Sequence, residues 1–294
     1  MKKYLLPAAV LILTAALVFD HLEDKELPFP VIDAHTHADF HRGIEEVSGI
    51  SATQEEYFRE LKDAGAVGAV SHHDRQNSEY QNLDSQNVVQ CLGVSETTTP
   101  ALARQLLADK KYRCIKIYLG YVAKFAYDSF YIPFYKMAAE FGVPVVFHTG
   151  DTHDRDGLVK YSDPLTVDEV AVRFRDVKFV IAHLGNPWIQ SAAEVVYKNE
   201  NVYVEASALI VGKLGEYDKQ QIEELVIKPI KWAFNYIDDP DKFLFGTDWP
   251  LVNIKDYLYI YKKAIPKKYW RKVFYQNALD VFPFALPKDL KDGR

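Results

Sequence analysis

The sequence predicts a closed (β/α)8 TIM barrel in a single α/β domain. Three observations carry that expectation. Eight short runs rich in β-branched and aromatic residues recur along the chain, segments with apolar residues at helical spacing lie between them, and no glycine-rich phosphate loop follows any run. Strands alternating with helices imply right-handed βαβ units and a parallel sheet, and eight units in roughly 260 residues match the size of one closed barrel. An open doubly wound sheet is the runner-up, but it would hold its ligand on the glycine-rich turn that this chain does not show. A chain of 294 residues that is 48% apolar has enough material for the large core a barrel needs.

Residues 1–27 stand outside this pattern. MKKYLLPAAVLILTAALVF sets Lys2 and Lys3 ahead of an apolar run from Tyr4 to Phe19, and the polar stretch Asp20 to Glu26 follows. That order is the pattern of an export signal, while the run is short for a membrane span, which needs about 20 residues. The expectation is a cleaved leader or an uncleaved anchor, placing the protein outside the cytoplasm or on a membrane. An extra helix packed on the domain is the alternative. The barrel domain is expected over 28–294.

From Pro28 the strand-like runs are PVIDAHTH (30–37), AVGAVSHH (66–73), NVVQCLGV (87–94), CIKIYLGY (114–121), PVVFHTGD (144–151), KFVIAHLG (178–185), VYVEASAL (202–209) and KFLFGTDWP (242–250). Helical spacing appears in EEYFRELKDAG, ALARQLLADKK, DSFYIPFYKMAAEFG, VDEVAVRF, IQSAAEVVYKNE and IEELVIKPIKWAFNYI. A last helical pattern, WRKVFYQNALDVF, follows the eighth run and is expected to pack against the barrel. The net charge of −6, with acids and bases interspersed, argues against nucleic acid and for a small-molecule ligand. Cys91 and Cys114 sit in separate apolar runs without zinc-motif spacing and are expected to be buried free thiols.

In a barrel of this kind the active site is built at the C-terminal ends of the strands. Those ends hold His35 and His37, His72 and His73, Lys116, His148, His183, Glu205 and Asp248. Counting His153, seven of the nine histidines fall at a strand end or in the loop just after one. Residues two apart on a strand share a face, so both imidazoles of His35 and His37 can turn to one ion at about 2.0–2.1 Å. Adjacent residues cannot do so without a bulge, so one of His72 and His73 is expected to face the helices. The plain alternative, hydrogen-bonded pocket histidines, loses ground as each further strand end adds a donor.

DAHTHAD, VVFHTGD, FVIAHLGN and LFGTDWP, in that order on strands one, five, six and eight, resemble the amidohydrolase superfamily. The likeness is to the amidohydrolase-related branch that includes aminocarboxymuconate semialdehyde decarboxylase, and it covers about residues 29 to 282. It implies a divalent metal, commonly zinc, in the barrel mouth, held by His35, His37, His148, His183 and Asp248, with one or two ions per chain. A bound zinc lowers the pKa of water to about 7, and Asp248 beside it can accept the proton and pass it to a leaving group. His183 is either a further ligand or a neutral partner that orients water or substrate. The expected activity is metal-dependent hydrolysis of an amide, ester or lactone by an activated water. The alternative is non-oxidative decarboxylation by the same residues, and a third reading is a metal-free or non-catalytic barrel.

Lys116 leaves three readings open: a carboxylated lysine bridging two metals, a cation for a substrate carboxylate, and an ion pair with Glu205. The alternation in CIKIY turns Cys114, Lys116 and Tyr118 to one face and the two isoleucines to the other. Tyr118, Tyr121, Lys124, Asp151, His153, Asp154 and Arg155 fall on the loops after strands four and five, where substrate preference is commonly set. With 19 tyrosines in the chain, a tyrosine there needs no special role. Asn186 and Trp188 are expected to brace the helix after strand six.

Overall fold

The computed structural model describes residues 27–40, 43–73, 80–287 and 290. Its eight strands are β1 (Val31–Thr36), β2 (Ala66–His72), β3 (Val88–Val94), β4 (Cys114–Tyr118), β5 (Val145–His148), β6 (Phe179–Ile181), β7 (Val202–Glu205) and β8 (Phe243–Leu244). They form one parallel sheet in sequence order, each strand beside the next. β8 returns to β1 through backbone bonds from Ala34 N to Phe245 O (2.8 Å), Asp248 N to His35 O (2.7 Å) and His37 N to Trp249 O (2.7 Å). The molecule is an eight-stranded parallel barrel of the TIM type, and each strand lies within the run expected for it.

The helices are α1 (Gln54–Asp63), α2 (Pro100–Ala108), α3 (Ile132–Phe141), α4 (Thr166–Arg173), α5 (Ile189–Lys198), α6 (Lys219–Ile222), α7 (Lys228–Ile237), α8 (Ile254–Ala264) and α9 (Asn277–Val281). Thr53 and Thr99 cap α1 and α2 by accepting the N–H of Glu56 and Leu102. Gly142 ends α3 at φ 64°, where a side chain would be strained. One π turn (Glu223–Ile227) joins α6 to α7 and another (Lys272–Gln276) leads into α9. α8 went unforeseen, because its buried face uses Tyr257 and Tyr261 beside Ile254, Leu258 and Ile260. Among the described residues, the β2–β3 connection carries only a 3-10 turn at Asp84–Gln86.

Strand alternation divides the core in two. Ile115, Ile117, Phe147, Phe179 and Ile181 face outward onto helix residues such as Phe134, Tyr135 and Val170. Ile32, Val89, Cys91, Cys114, Val146, Val180 and Leu244 face inward and form the barrel floor, closed from below by Tyr275, Ala278, Phe282 and Phe284. The last helical pattern is thus a plug as much as a cover.

The cysteines correct the sequence reading, for they are not free thiols. Cys91 and Cys114 are in register on β3 and β4, with Cα atoms 4.3 Å apart on the inner face, and they form a disulfide. Their separation of 23 residues in the chain gave no sign of this, because the crossover through α2 brings the two strands side by side. The leader or anchor expected over 1–27 falls almost wholly outside the described residues. Among those described, no helix is long and apolar enough to cross a membrane.

Candidate metal centre

Above the floor lies a polar layer drawn from five strands and the turns just after β6 and β8: His35, His72, Lys116, His148, His183, Glu205 and Asp248, each buried. Two glycines let the walls come this close. A Cβ on Gly246 would stand 2.8 Å from His35 Cβ and 2.9 Å from Glu205 Oε2, and one on Gly150 (φ 96°) would collide with the Asn186 carbonyl. His183 (φ 59°) and Asp248 (φ 69°) adopt left-handed backbone, a strained choice for side-chain-bearing residues that tends to mark functional positions.

Glu205 organises one side. Its Oε1 lies 2.6 Å from His35 Nδ1 and accepts the His183 backbone N–H (3.2 Å), while Oε2 accepts the Ser207 N–H (2.6 Å). Holding Nδ1 as the donor leaves the lone pair of His35 on Nε2, aimed into the centre, which is how a carboxylate behind a ligating imidazole acts. Burial pushes the Glu205 carboxyl up, against the bonds from Ser207 and the Lys116 charge that pull it down.

Asp248 spans the middle. Oδ1 is 3.4 Å from His35 Nε2 and 3.0 Å from His37 Nε2, and Oδ2 is 3.8 Å from His183 Nδ1. Burial opposes its ionisation, but the hydrogen bond and charge of His37, with His183 and Lys116, outweigh it and hold the carboxyl at about 2. His183 Nδ1 also meets Ser207 Oγ at 2.8 Å, and burial lowers its pKa to about 4. Burial likewise drives His35, His72 and His148 well below the usual imidazole value, so the layer offers neutral nitrogens.

Of the five expected ligands, His35, His183 and Asp248 bring donor atoms within 4.8 Å of one another, a grouping that could hold a metal ion. Donors arranged tetrahedrally at about 2.1 Å from one ion lie about 3.4 Å apart, so the widest pair of the group has to close by roughly an ångström on binding. The chemistry fits as well, because the buried Asp248 carboxylate turns Oδ1 toward the imidazole nitrogens of both His35 and His37, and a cation among them would complete the group. His37 joins at the edge through Asp248. His148 lies outside this group in the structure, its Nε2 2.8 Å from the Asp151 carbonyl and its ring 4.8 Å from that of His183.

Lys116 is fully buried, its Nζ 3.4 Å from His35 Nε2 and 5.3 Å from the Tyr118 ring centre. Asp151 reaches the centre through its backbone, its side chain being exposed. Tyr121 lays its ring 4.8 Å from His148 and accepts the His153 N–H (3.1 Å), while Lys124 pairs with Glu96 at 3.3 Å. Asp154 caps its own turn, and Arg155 is exposed. Trp188 is the N-cap residue of α5, its carbonyl accepting the Ala192 N–H, while the Asn186 carbonyl accepts the Asp151 N–H of the loop after β5.

Two participants escaped the sequence reading. Ser207 lies two residues beyond Glu205, and that spacing was the only signal for it. His72 was left undecided against His73. The register Ser71↔Gln90, His72↔Cys91 turns His72 inward, its ring 4.2 Å from that of His35, while His73 turns to Gln90 and Tyr112.

The family model described as Amidohydrolase matches residues 32–284. The chain belongs to the amidohydrolase family. This amidohydrolase is also similar in fold to solved structures of low sequence identity. One is an amidohydrolase from Burkholderia multivorans with bound zinc, at 14% identity and TM-score 0.63, covering 87% of this chain and 99% of that one. Another is a probable 2-pyrone-4,6-dicarboxylic acid hydrolase from Acinetobacter baumannii, at 16% identity and TM-score 0.62, covering 86% and 99%. A third is 5-carboxyvanillate decarboxylase from Sphingomonas paucimobilis, at 11% identity and TM-score 0.55, covering 78% and 83%. No curated protein matches the chain significantly.

Proposed function

We propose that this amidohydrolase is a metal-dependent hydrolase of a small organic ester, lactone or amide. The observation that carries the reading is Asp248, an ionised carboxylate that faces His35 and His37 with one oxygen and His183 with the other. His35, His183 and Asp248 would hold the cation, which zinc suits, and zinc occurs in the similar Burkholderia structure. A bound divalent ion supplies Lewis acidity toward a carbonyl oxygen and lowers the pKa of water. Asp248, poised well below neutral pH, accepts a proton from the attacking water and returns it to the leaving group. His183, kept neutral by burial and anchored by Ser207, orients the water or the substrate. Tyr118 and Tyr121 border the mouth above.

Lys116 favours a second reading, decarboxylation, because a buried cation in this layer would seat a substrate carboxylate; a structural neighbour is a decarboxylase. A panel of esters, lactones, amides and aromatic carboxylates, assayed with and without chelator, separates the two. Chelator-sensitive hydrolysis supports the proposal, and carbon dioxide release without net uptake of water overturns it. We also propose that the chain works in an exported or membrane-anchored setting. The apolar run of residues 4–19 supports this, as does the Cys91–Cys114 disulfide, a bond typical of oxidising compartments.

A further inference from the structure

The underside of the barrel carries a charge pattern that the overall acidity of the chain hides. Between Asp256 and Asp280 no acidic residue occurs, while Lys262, Lys263, Lys267, Lys268, Arg271 and Lys272 crowd together beside Tyr259, Tyr269 and Trp270. The stretch runs from the last turn of α8 through a 3-10 turn (Lys267–Tyr269) into the π turn before α9. It lies at the N-terminal ends of the strands, because Lys272 pairs with Asp241, two residues ahead of β8. The described residues begin at the same end of the barrel, where Phe29, two residues before β1, packs against the cluster that closes the floor.

We propose that this underside rests on an anionic lipid surface, so that the barrel stands with its floor toward a membrane and its candidate metal centre toward water. The inference rests on the membrane-anchored reading above. Residues 20–26 join the apolar run of residues 4–19 to the barrel, and a stretch of that length, fully extended, reaches at most about 25 Å. An inserted run therefore holds the floor close to the bilayer. The net charge of −6 repels the chain as a whole from anionic lipid, so attraction has to come from a local patch, and a local patch sets an orientation. Lys263, Lys267 and Lys268 are exposed, and among the described residues none of them forms an ion pair. Instead, Lys263 Nζ lies 4.4 Å from the Tyr259 ring centre, Lys268 Nζ 4.6 Å from that of Tyr269 and Lys267 Nζ 5.8 Å from that of Trp270. Lysines laid beside half-buried aromatic rings suit a headgroup layer, where the ring meets apolar matter and the ammonium meets phosphate. With the floor on the membrane, substrate reaches the mouth from the aqueous side.

The full chain, reconstituted in phosphatidylcholine vesicles with or without phosphatidylglycerol, tests this by brief acetylation and mass spectrometry of each lysine, with the chain in detergent as the reference. The chain should float with both kinds of vesicle. With phosphatidylglycerol at low salt, acetylation of Lys263, Lys267 and Lys268 should fall about fivefold or more and should recover at high salt. Lys255, exposed at the opposite end of α8, should react equally in every case. A floating chain whose three lysines react as fully in anionic vesicles as in detergent overturns this inference and leaves the anchor in place. Equal protection in neutral vesicles would mean that the stretch 20–26, with four acids against one lysine, covers the patch instead, and also overturns it. Protection of Lys255 along with the three would mean that the barrel lies on its side, and removes the assigned orientation. A chain that floats with neither kind of vesicle sinks the anchored reading together with the inference.

Discussion

Asp33→Asn should remove a pH-dependence of stability while leaving the barrel folded. Asp33 is fully buried on β1, where Oδ1 accepts the backbone N–H of His35 (3.1 Å) and of Thr247 (3.1 Å), and Oδ2 accepts the Thr247 hydroxyl (2.6 Å). Burial is the largest influence and raises its pKa from 3.8 to about 8, against hydrogen bonds that pull it down. Between those two values the folded side chain holds a proton that the unfolded one has released. The stability it contributes is therefore complete below pH 3.8 and is lost as pH rises through about 8. From pH 7 to 9 the loss comes to about 1.4 kcal/mol, or about 3–6 °C in Tm for a chain of this size. Asparagine mimics the protonated acid and does not titrate. Scanning calorimetry of both proteins in chelator, at pH 7, 8 and 9, gives a difference curve in which other titrating groups cancel. Parallel Tm profiles for the two proteins would refute the raised pKa.

Gly246→Ala should lower stability by about 1–3 kcal/mol, because its Cβ meets the backbone-anchored Cβ of His35 at 2.8 Å; an unchanged Tm would show that the wall yields. Replacing Cys91 and Cys114 by alanine should cost about 3 kcal/mol, as expected for a cross-link closing a loop of this length. Alkylation of the unfolded wild type without reductant should leave both cysteines unmodified, and a doubly alkylated mass would contradict the bond. Asp248→Asn should lower turnover about a hundredfold to ten-thousandfold with unchanged circular dichroism, and full activity would remove Asp248 from proton transfer. Glu205→Gln should weaken metal binding about tenfold to a hundredfold by loosening the His35 tautomer, which metal titration would reveal; unaltered affinity would reduce Glu205 to a packing role.

The barrel was legible because strand and helix periods alternate cleanly, and His35 and His37 because two residues on a strand return to the same face. Cross-strand register was not legible, and it decides most of what was missed. It pairs Cys91 with Cys114 and turns His72 rather than His73 inward. His148 stands apart from the His35, His183 and Asp248 group for a local reason. The loop at Gly150 approaches the Asn186 backbone so closely that the Asp151 carbonyl comes within 2.8 Å of the imidazole. α8 hid behind tyrosines, which serve equally well on a buried face and at a surface.

The seam between β1 and β8 also sets when the protein can begin to work. Asp33 and Thr247, bonded across that seam, are 214 residues apart in the chain, and the floor beneath them is completed by Tyr275, Phe282 and Phe284. During synthesis the first strand, with His35 and His37, therefore waits for nearly the whole chain before Asp248 arrives to face it. Contacts of such long range fold slowly, and the waiting sheet exposes apolar edges that invite aggregation. The candidate metal centre is among the last parts of this molecule to exist, and a ribosome that stops short of residue 275 leaves the barrel floor uncovered from below.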